Sequence, residues 1–193
     1  VYDNIIVANY YDGIYIEYSS DIVIKENSII QNNDDGIEFY DSTDITILEN
    51  TIAKNDWAGI HGENLDLYDD DPNALHNIII KGNKIATNGD DGIELYWMNG
   101  ISIASNLIYS NANEGIELYY CPIVSITHNK ILGNGEAGIF YYGDPDWPLV
   151  DTDGNGIDDT TVELSLTISY NKMMGNNGLG GIFAGYTQNV VIT

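Results

Sequence analysis

The sequence predicts an all-β fold, a single-stranded parallel β-helix of about seven 23-residue rungs with two loop insertions, and three observations carry that prediction. A Gly-Ile pair recurs at Gly13, Gly36, Gly59, Gly92, Gly115, Gly138 and Gly181, at spacings of 23, 23, 33, 23, 23 and 43 residues. An Asn keeps the same register at Asn4, Asn27, Asn50, Asn83, Asn106, Asn129 and Asn171. Between these anchors apolar and polar residues alternate over short stretches, and no helical periodicity of useful length interrupts them. Self-similarity at a fixed period marks a repeat architecture, because a unit this small cannot bury its own apolar face and must stack on its neighbours.

Each unit reads as three short strands. The first follows the Gly as Ile-x-apolar, as in Ile37 and Phe39 or Ile93 and Leu95. The second is apolar-x-apolar: Ile22/Ile24, Ile45/Ile47, Ile78/Ile80, Ile101/Ile103, Val124/Ile126 and Val190/Ile192. The third centres on the residue two places after the Asn: Ile6, Ile29, Ile52, Ile85, Ile108 and Ile131. Alternation sends every second side chain inward. Gly and Asn are expected at the bends, since both tolerate φ > 0. Stacked rungs lie ~4.8 Å apart, so the recurring Asn is expected to form an amide ladder as in cross-β assemblies.

At 193 residues the chain is long enough for one domain, spanning 1–193, with insertions at about 62–77 and 143–164. Six lysines, no arginine and thirty acids leave a net charge of −24. That balance argues against nucleic acid or an anionic membrane surface as a partner, because phosphate binding needs a basic patch. No apolar run approaches the ~18 residues of a spanning helix. The single Cys121 has no partner for an internal disulfide. The sequence opens and closes in mid-repeat, at "VYDNIIVAN" and "TQNVVIT", with no cap signal. The expectation is a module of a larger chain, or a protein that self-associates through its solenoid ends.

The pattern N-x-I-x-x-N-x-x-x-G-I-x-L, as in "NLIYSNANEGIEL" (106–118), resembles the parallel β-helix repeats of the CASH/NosD-like superfamily of extracellular and periplasmic proteins. The resemblance covers the chain outside the two insertions. It implies a right-handed solenoid, an extracellular or cell-surface location, and a function drawn from a mixed group. That group holds polysaccharide lyases, hydrolases, epimerases, glycan-binding modules and structural surface proteins.

If the apolar positions point inward, the residues between them form readable outward columns. Two places after the Gly stand Tyr15, Glu38, His61, Glu94, Glu117, Phe140 and Phe183. Four places after stand Glu17, Tyr40, Glu63, Tyr96, Tyr119, Tyr142 and Gly185, and five places after stand Tyr18, Asp41, Asn64, Trp97, Tyr120, Gly143 and Tyr186. Just before the Gly come Asp12, Asp35, Ala58, Asp91, Glu114, Ala137 and Gly180. Flat rings beside hydroxyls suit pyranoses, so Tyr96, Trp97, Tyr119 and Tyr120, with Glu38 and Glu63, are the expected carbohydrate contacts. Stacked tyrosines also stabilise a sheet without any ligand.

Glu94 and Glu117 fall on adjacent rungs ~5 Å apart. Their repulsion is roughly 1 kcal/mol in water and a few kcal/mol at an effective dielectric near 20. Solvation, a shared proton or a cation relieves it. Two carboxyls at that distance also match a retaining glycosidase, although any stacked pair on a β-helix has the same spacing. His61 completes the candidate catalytic set as an acid/base group.

Both insertions leave at the corner between the first and second strands, from the third and sixth rungs. They stand as two walls beside the Glu94–Tyr96–Trp97 and Glu117–Tyr119–Tyr120 rungs, a cleft about two or three sugars wide. Long loops that interrupt a regular scaffold commonly carry function. Within the second insertion, "DTDGNGIDD" places Asp151, Asp153 and Asn155 at alternate positions, followed by Asp158 and Asp159. Oxygens alternating around a Gly turn suit Ca2+. The run resembles the calcium loops of thrombospondin type-3 and dockerin-like repeats. It departs from the EF-hand, with Val162 where a twelfth-place Glu would stand.

The absence of arginine separates the alternatives. The resembled pectate lyases, pectin methylesterases and polygalacturonases depend on an Arg that this chain lacks. The leading expectation is an extracellular, calcium-binding module that holds a polysaccharide in an acidic, aromatic cleft. A lyase or glycoside hydrolase using the same cleft stays open, as does a structural solenoid.

Overall fold

In a computed structural model of the chain, described for residues 1–64, 75–143, 165–187 and 189–193 and for the backbone of 149–150 and 160–161, each rung contributes one strand to each of three sheets. Every sheet has seven strands, and all their pairings are parallel. The first sheet runs from Ile14–Glu17 to Ile182–Gly185, the second from Ile22–Lys25 to Val190–Ile192, and the third from Ile5–Val7 to Lys172–Met174. The short pair Leu149–Val150 and Thr160–Thr161 is antiparallel. The chain thus coils as a parallel β-helix of about seven rungs. No helix among the described residues is long and apolar enough to cross a membrane.

The register follows the repeat. Tyr15, Glu38, His61, Glu94, Glu117, Phe140 and Phe183 pair in sequence across the first sheet. Both insertions leave between the first and second sheets, after Ile60–Glu63 and after Ile139–Tyr142, and the sheets continue across them in register. At the stem of the first, His76 accepts the Asn99 backbone N–H at Nδ1 (2.9 Å) and meets the Asn64 amide through Nε2 (2.6 Å).

Isoleucine fills the interior. Ile37, Ile60, Ile93, Ile116 and Ile139 form one fully buried column, with Ile24, Ile47, Ile80, Ile103 and Ile126 in a second. β-branched side chains suit a pleated strand, and each such burial contributes roughly 1.5–3 kcal/mol.

Two asparagine ladders run the length of the stack. In the first, the Oδ1 of Asn50 accepts both the backbone N–H (2.8 Å) and the side-chain amide (3.0 Å) of Asn27, while its Nδ2 donates to Ile24 C=O (2.9 Å). The second comprises Asn9, Asn32, Asn55, Asn88, Asn111, Asn134 and Asn176, in which each Oδ1 again accepts the backbone N–H and the amide of the Asn before it. An amide carries donor and acceptor together, so a stack of amides satisfies itself.

Left-handed Gly and Asn stand at some bends, as at Gly82, Gly133 and Asn77, but other residues take that conformation more often than expected. One set precedes the ladder asparagines: Glu26, Glu49, Ser105 and His128 before the first ladder, Gln31, Lys54, Thr87 and Ser110 before the second. Most are not glycine, and each left-handed residue costs roughly 1–2 kcal/mol, offset by the ladder bonds it sets up. The repeating Gly serves another purpose. A Cβ on Gly115 would lie 2.6 Å from the carbonyl oxygen of Gly138 and 2.5 Å from Ile131 Cγ2. Close approach of successive rungs, not backbone freedom, is what requires glycine there.

Candidate functional site

The outward side of the first sheet gathers most of the candidates. His61, Glu94 and Glu117 occupy one column on three successive rungs, and Glu63, Tyr96 and Tyr119 occupy the next. The Tyr96 hydroxyl bridges the two carboxyls, donating its one proton in a short bond to Glu94 and able to accept from a protonated Glu117, whose Oε2 lies 2.9 Å away. His61 Nδ1 lies 3.1 Å from Glu94 Oε2. A continuous chain therefore runs His61–Glu94–Tyr96–Glu117, joining all three expected catalytic groups through a tyrosine assigned beforehand to sugar binding.

The two glutamates sit in opposite electrostatic surroundings. Burial pushes Glu94 up, but hydrogen bonds from His61 and Tyr96 outweigh it and hold its carboxyl below the usual range. Burial pushes Glu117 up to about 7, and the negative charges of Glu114 and Glu94 add to it against the Tyr96 hydrogen bond. Burial works against charge on His61, yet the hydrogen bond and charge of Glu94 and the charge of Asp35 raise it overall. The arrangement is an imidazole held toward its charged form against an ionised Glu94, beside a Glu117 carboxyl held toward its protonated form. The Tyr96 hydroxyl, pushed well up by burial and by its bond to Glu94, keeps its proton.

Beneath this chain lies an acid that sequence reading placed outward. Asp91 is only 2 % exposed, and its Oδ1 accepts the Glu114 backbone N–H at 2.5 Å. Asp91, Glu114 and Glu117 each bring a carboxylate oxygen within 4.8 Å of the other two. Burial, then the charges of Glu117 and Glu114, push Asp91 up to about 10. Asp35 repeats the arrangement two rungs earlier. Its Oδ1 accepts the Ala58 N–H at 2.7 Å, and burial pushes it up to about 7 against the nearby His61. The signal was present in the residue before each Gly, where pairs of acids are separated by single alanines, but the bend turns Asp35 and Asp91 under the sheet.

The aromatic residues flank the acids. Trp97 and Tyr120 stack with centroids 6.1 Å apart and planes at 14°. Tyr96, Trp97, Tyr119, Tyr120 and Glu117 line a cavity of about 270 Å³. That is near the lower end for small-molecule sites, room for a single sugar among these side chains, and most of the two insertions expected to wall a longer cleft lies outside the described residues. Trp97 and Tyr120 stand at positive φ, 54° and 52°, at the corner of the rung. Glu38 and Glu63 do not reach the cavity and instead flank His61. His61 Nε2 is buried without a hydrogen bond, 3.9 Å from Glu63 Oε2. The expected calcium ligands Asp151, Asp153, Asn155, Asp158 and Asp159 lie outside the described residues.

No curated protein matches the sequence. Among solved structures, the chain is similar to the periplasmic alginate epimerase AlgG, with TM-score 0.61, 19% identity, and coverage of 100% of this chain and 46% of that one. It is also similar to the A-modules of the Azotobacter vinelandii mannuronan C-5 epimerases AlgE4 and AlgE6. TM-scores are 0.65 and 0.66 and identities 17% and 16%, each covering 97% of this chain and 56% of the other. The chain spans about half the length of these proteins, and at such identities the likeness is one of fold. The model of the right-handed β-helix region matches residues 1–66 and 68–159, and with the three parallel sheets it establishes that this chain belongs to the right-handed β-helix family.

Proposed function

We propose that this chain acts on a polysaccharide, holding a sugar against Trp97, Tyr119 and Tyr120 and cleaving a glycosidic bond with Glu117 as general acid and Glu94 as nucleophile or base. One observation carries the reading. Two carboxyls on adjacent rungs share the Tyr96 hydroxyl, while their surroundings drive one toward the ionised and the other toward the protonated form. Two acids with pKa values pushed apart beside a sugar-sized cavity are what acid–base cleavage needs. A separation of ~5 Å is that of a retaining, double-displacement mechanism. Hydrogen bonds from His61 and Tyr96 keep Glu94 ionised. With no lysine or arginine in the outward columns of the first sheet, a neutral sugar is favoured at the cavity.

A second reading is supported by His61 and Tyr96, whose rings meet edge to face at 5.8 Å. These residue types can exchange a proton at a sugar carbon, and the similar solved structures are epimerases of alginate and mannuronan. The firmly protonated Tyr96 favours the carboxylate pair over a tyrosine base. Calcium is part of the proposal on two grounds. One is the alternation of oxygens from Asp151 to Asp159. The other is the trio Asp91, Glu114 and Glu117, whose oxygens a hard cation would take in place of the proton that cleavage needs on Glu117, so an ion there goes with the proton-exchange reading. A polysaccharide partner implies work outside the cytoplasm, at a cell surface or in the periplasm.

The test is incubation with neutral and uronate polysaccharides, with Ca2+ and then with EDTA. New reducing ends, unsaturated ends and inverted sugar centres are read separately. Reducing ends that fall about 10²–10⁴-fold in Glu117→Gln and Glu94→Gln support cleavage. Inverted centres or unsaturated ends lost in His61→Gln favour proton exchange. Binding without any product returns the chain to a glycan-binding module.

A further inference from the structure

The charge of −24 is unevenly spread: residues 75–89, 98–112, 121–135 and 165–193 contain no Asp or Glu. These stretches build the second and third sheets over the last four rungs. Four of the six lysines lie there, Lys81, Lys84, Lys130 and Lys172, all exposed. Lys84, Leu107, Lys130 and Lys172 form one column of the third sheet in register. Lys130 and Lys172 are therefore one rung, ~4.8 Å, apart, and Lys84 stands two rungs, ~10 Å, before Lys130. Among the described residues none of these four makes an ion pair, whereas Lys25 pairs with Glu26 at 3.2 Å and Glu49 at 3.5 Å. Glu49 borders this side, its backbone N–H donating to Lys81 C=O at 3.1 Å, and its carboxylate pairs with Lys25 instead.

We propose that the lysine column is a docking surface for a linear anionic polysaccharide, on the side of the solenoid away from the aromatic cavity. The neighbours choose the occupant. On the third sheet the lysine column runs beside Ala86, Tyr109, Leu132 and Met174, with the Tyr109 ring 5.8 Å from the Lys84 amine, while Ser102, Ser125 and Thr167 form an outward column of the second sheet. Protein interfaces are depleted in Lys and rely on clustered aromatic and Arg anchors, whereas this column offers three amines, no Arg and the single ring of Tyr109. A sugar chain with regularly spaced anions presents a ladder of charges to a ladder of amines, and the apolar face of a sugar ring can rest on Tyr109.

The other acids do not cancel this surface. Stacked sheets pack ~10 Å apart, so the acids of the first sheet lie beyond the ~8 Å screening length at physiological ionic strength. At low salt the net charge of the whole molecule repels a polyanion, and at high salt the amines themselves are screened. Binding is strongest between those limits.

The probes are polygalacturonate and dextran sulfate, with dextran as the neutral control, in EDTA at about 0.01, 0.15 and 1 M NaCl. The wild-type chain binds both polyanions best at the middle salt, and not dextran through this face. Both Lys84→Glu/Lys130→Glu/Lys172→Glu and the gentler triple Gln variant weaken that binding roughly tenfold or more, while Lys25→Glu and Glu117→Gln do not. These lysines are exposed, and an unchanged melting temperature checks folding. The proposal is overturned if neither polyanion binds or if the triple Gln variant binds as wild type. It is equally overturned if sedimentation shows the lysines joining a second copy of the chain with no polymer held.

Discussion

Two columns of polar side chains run through this molecule at the same ~4.8 Å repeat, and they behave in opposite ways. The asparagine ladder at the corner of the third sheet is buried and fully bonded, each Oδ1 taking two donors from the rung before it. The acids of the first sheet are buried too, at Asp35 and Asp91, but carboxylates only accept. A stack of amides closes on itself, whereas a stack of carboxylates must find protons, an imidazolium or a cation. One rung geometry thus gives rigidity where the side chain is self-complementary and acid–base chemistry where it is not.

The largest effect tests the amide side of that contrast. In Asn106→Leu, the Asn83 backbone N–H and side-chain amide lose their acceptor, and Ile80 C=O and Asn129 Oδ1 lose a donor. Buried unpaired groups cost ~1–3 kcal/mol each, so a loss of about 3–5 kcal/mol is expected in urea unfolding. A change below about 1 kcal/mol would make the ladder ornamental. Gly115→Ala comes next. Its Cβ meets the Gly138 carbonyl and Ile131, and rungs held by both ladders cannot separate locally. The expected loss is about 2–3 kcal/mol in the same assay. Gly133, which stands at φ 58° with open space around it, should respond to Ala only through backbone strain of about 1 kcal/mol.

The acid column is expected to show the reverse sign. Asp91 is held up to about 10 in the folded chain against ~3.9 when unfolded, and Glu117 up to about 7 against ~4.3. A carboxyl whose folded pKa is raised keeps its proton longer in the folded state, so stability falls as pH climbs from about 4 toward those values. Asp91→Asn should leave the melting temperature near wild type at pH about 4 and raise it by roughly 3–8 °C at pH about 8. A loss of stability at both pH values would mean that the Asp91 carboxylate is charged and paired, with a cation as the obvious partner. The His61–Glu94 pair behaves the other way at its acid edge. Glu94 is held low, so its contribution is present above its unfolded pKa and lost as pH falls through the folded one. His61 is held high, so its part is lost as pH rises through its folded value.

The contrast also explains what could be read from the residues alone. The rungs, their register and the corner of both insertions were legible because the 23-residue spacing of Gly and Asn is kept on each side of them. The amide ladder was legible because Asn recurs where an acid would repel its neighbour. The role of Gly was not, since close approach to the next rung and freedom of φ leave the same letter in the sequence. Nor was the burial of Asp91. Inward and outward alternate strictly along a strand, but at the bend before Gly92 the chain turns its side chain under the sheet. Tyr96 stood in the right column for sugar binding, and only its hydroxyl's reach to Glu94 and Glu117 gave it a second task.

The smallest expected effect sharpens the comparison at the surface, where the acid column meets the rings. Trp97 stacks on Tyr120 and opens onto the cavity beside Glu117, and its side chain belongs to neither ladder. Trp97→Ala should therefore leave urea unfolding within about 1 kcal/mol of wild type, since the corner holds its left-handed φ through rung contacts rather than through the ring. Sugar affinity should fall, by the ~0.5–1.5 kcal/mol that one aromatic face contributes, or about two- to twelvefold in titration calorimetry with the oligosaccharide that the activity screen identifies. Tyr142→Ala, one rung beyond the cavity lining, is the control that should keep affinity. If both variants lose affinity equally, the sugar chain runs on along the aromatic column past the cavity. If neither does, the rings stabilise the sheet and the carboxyls act on something that does not rest on them.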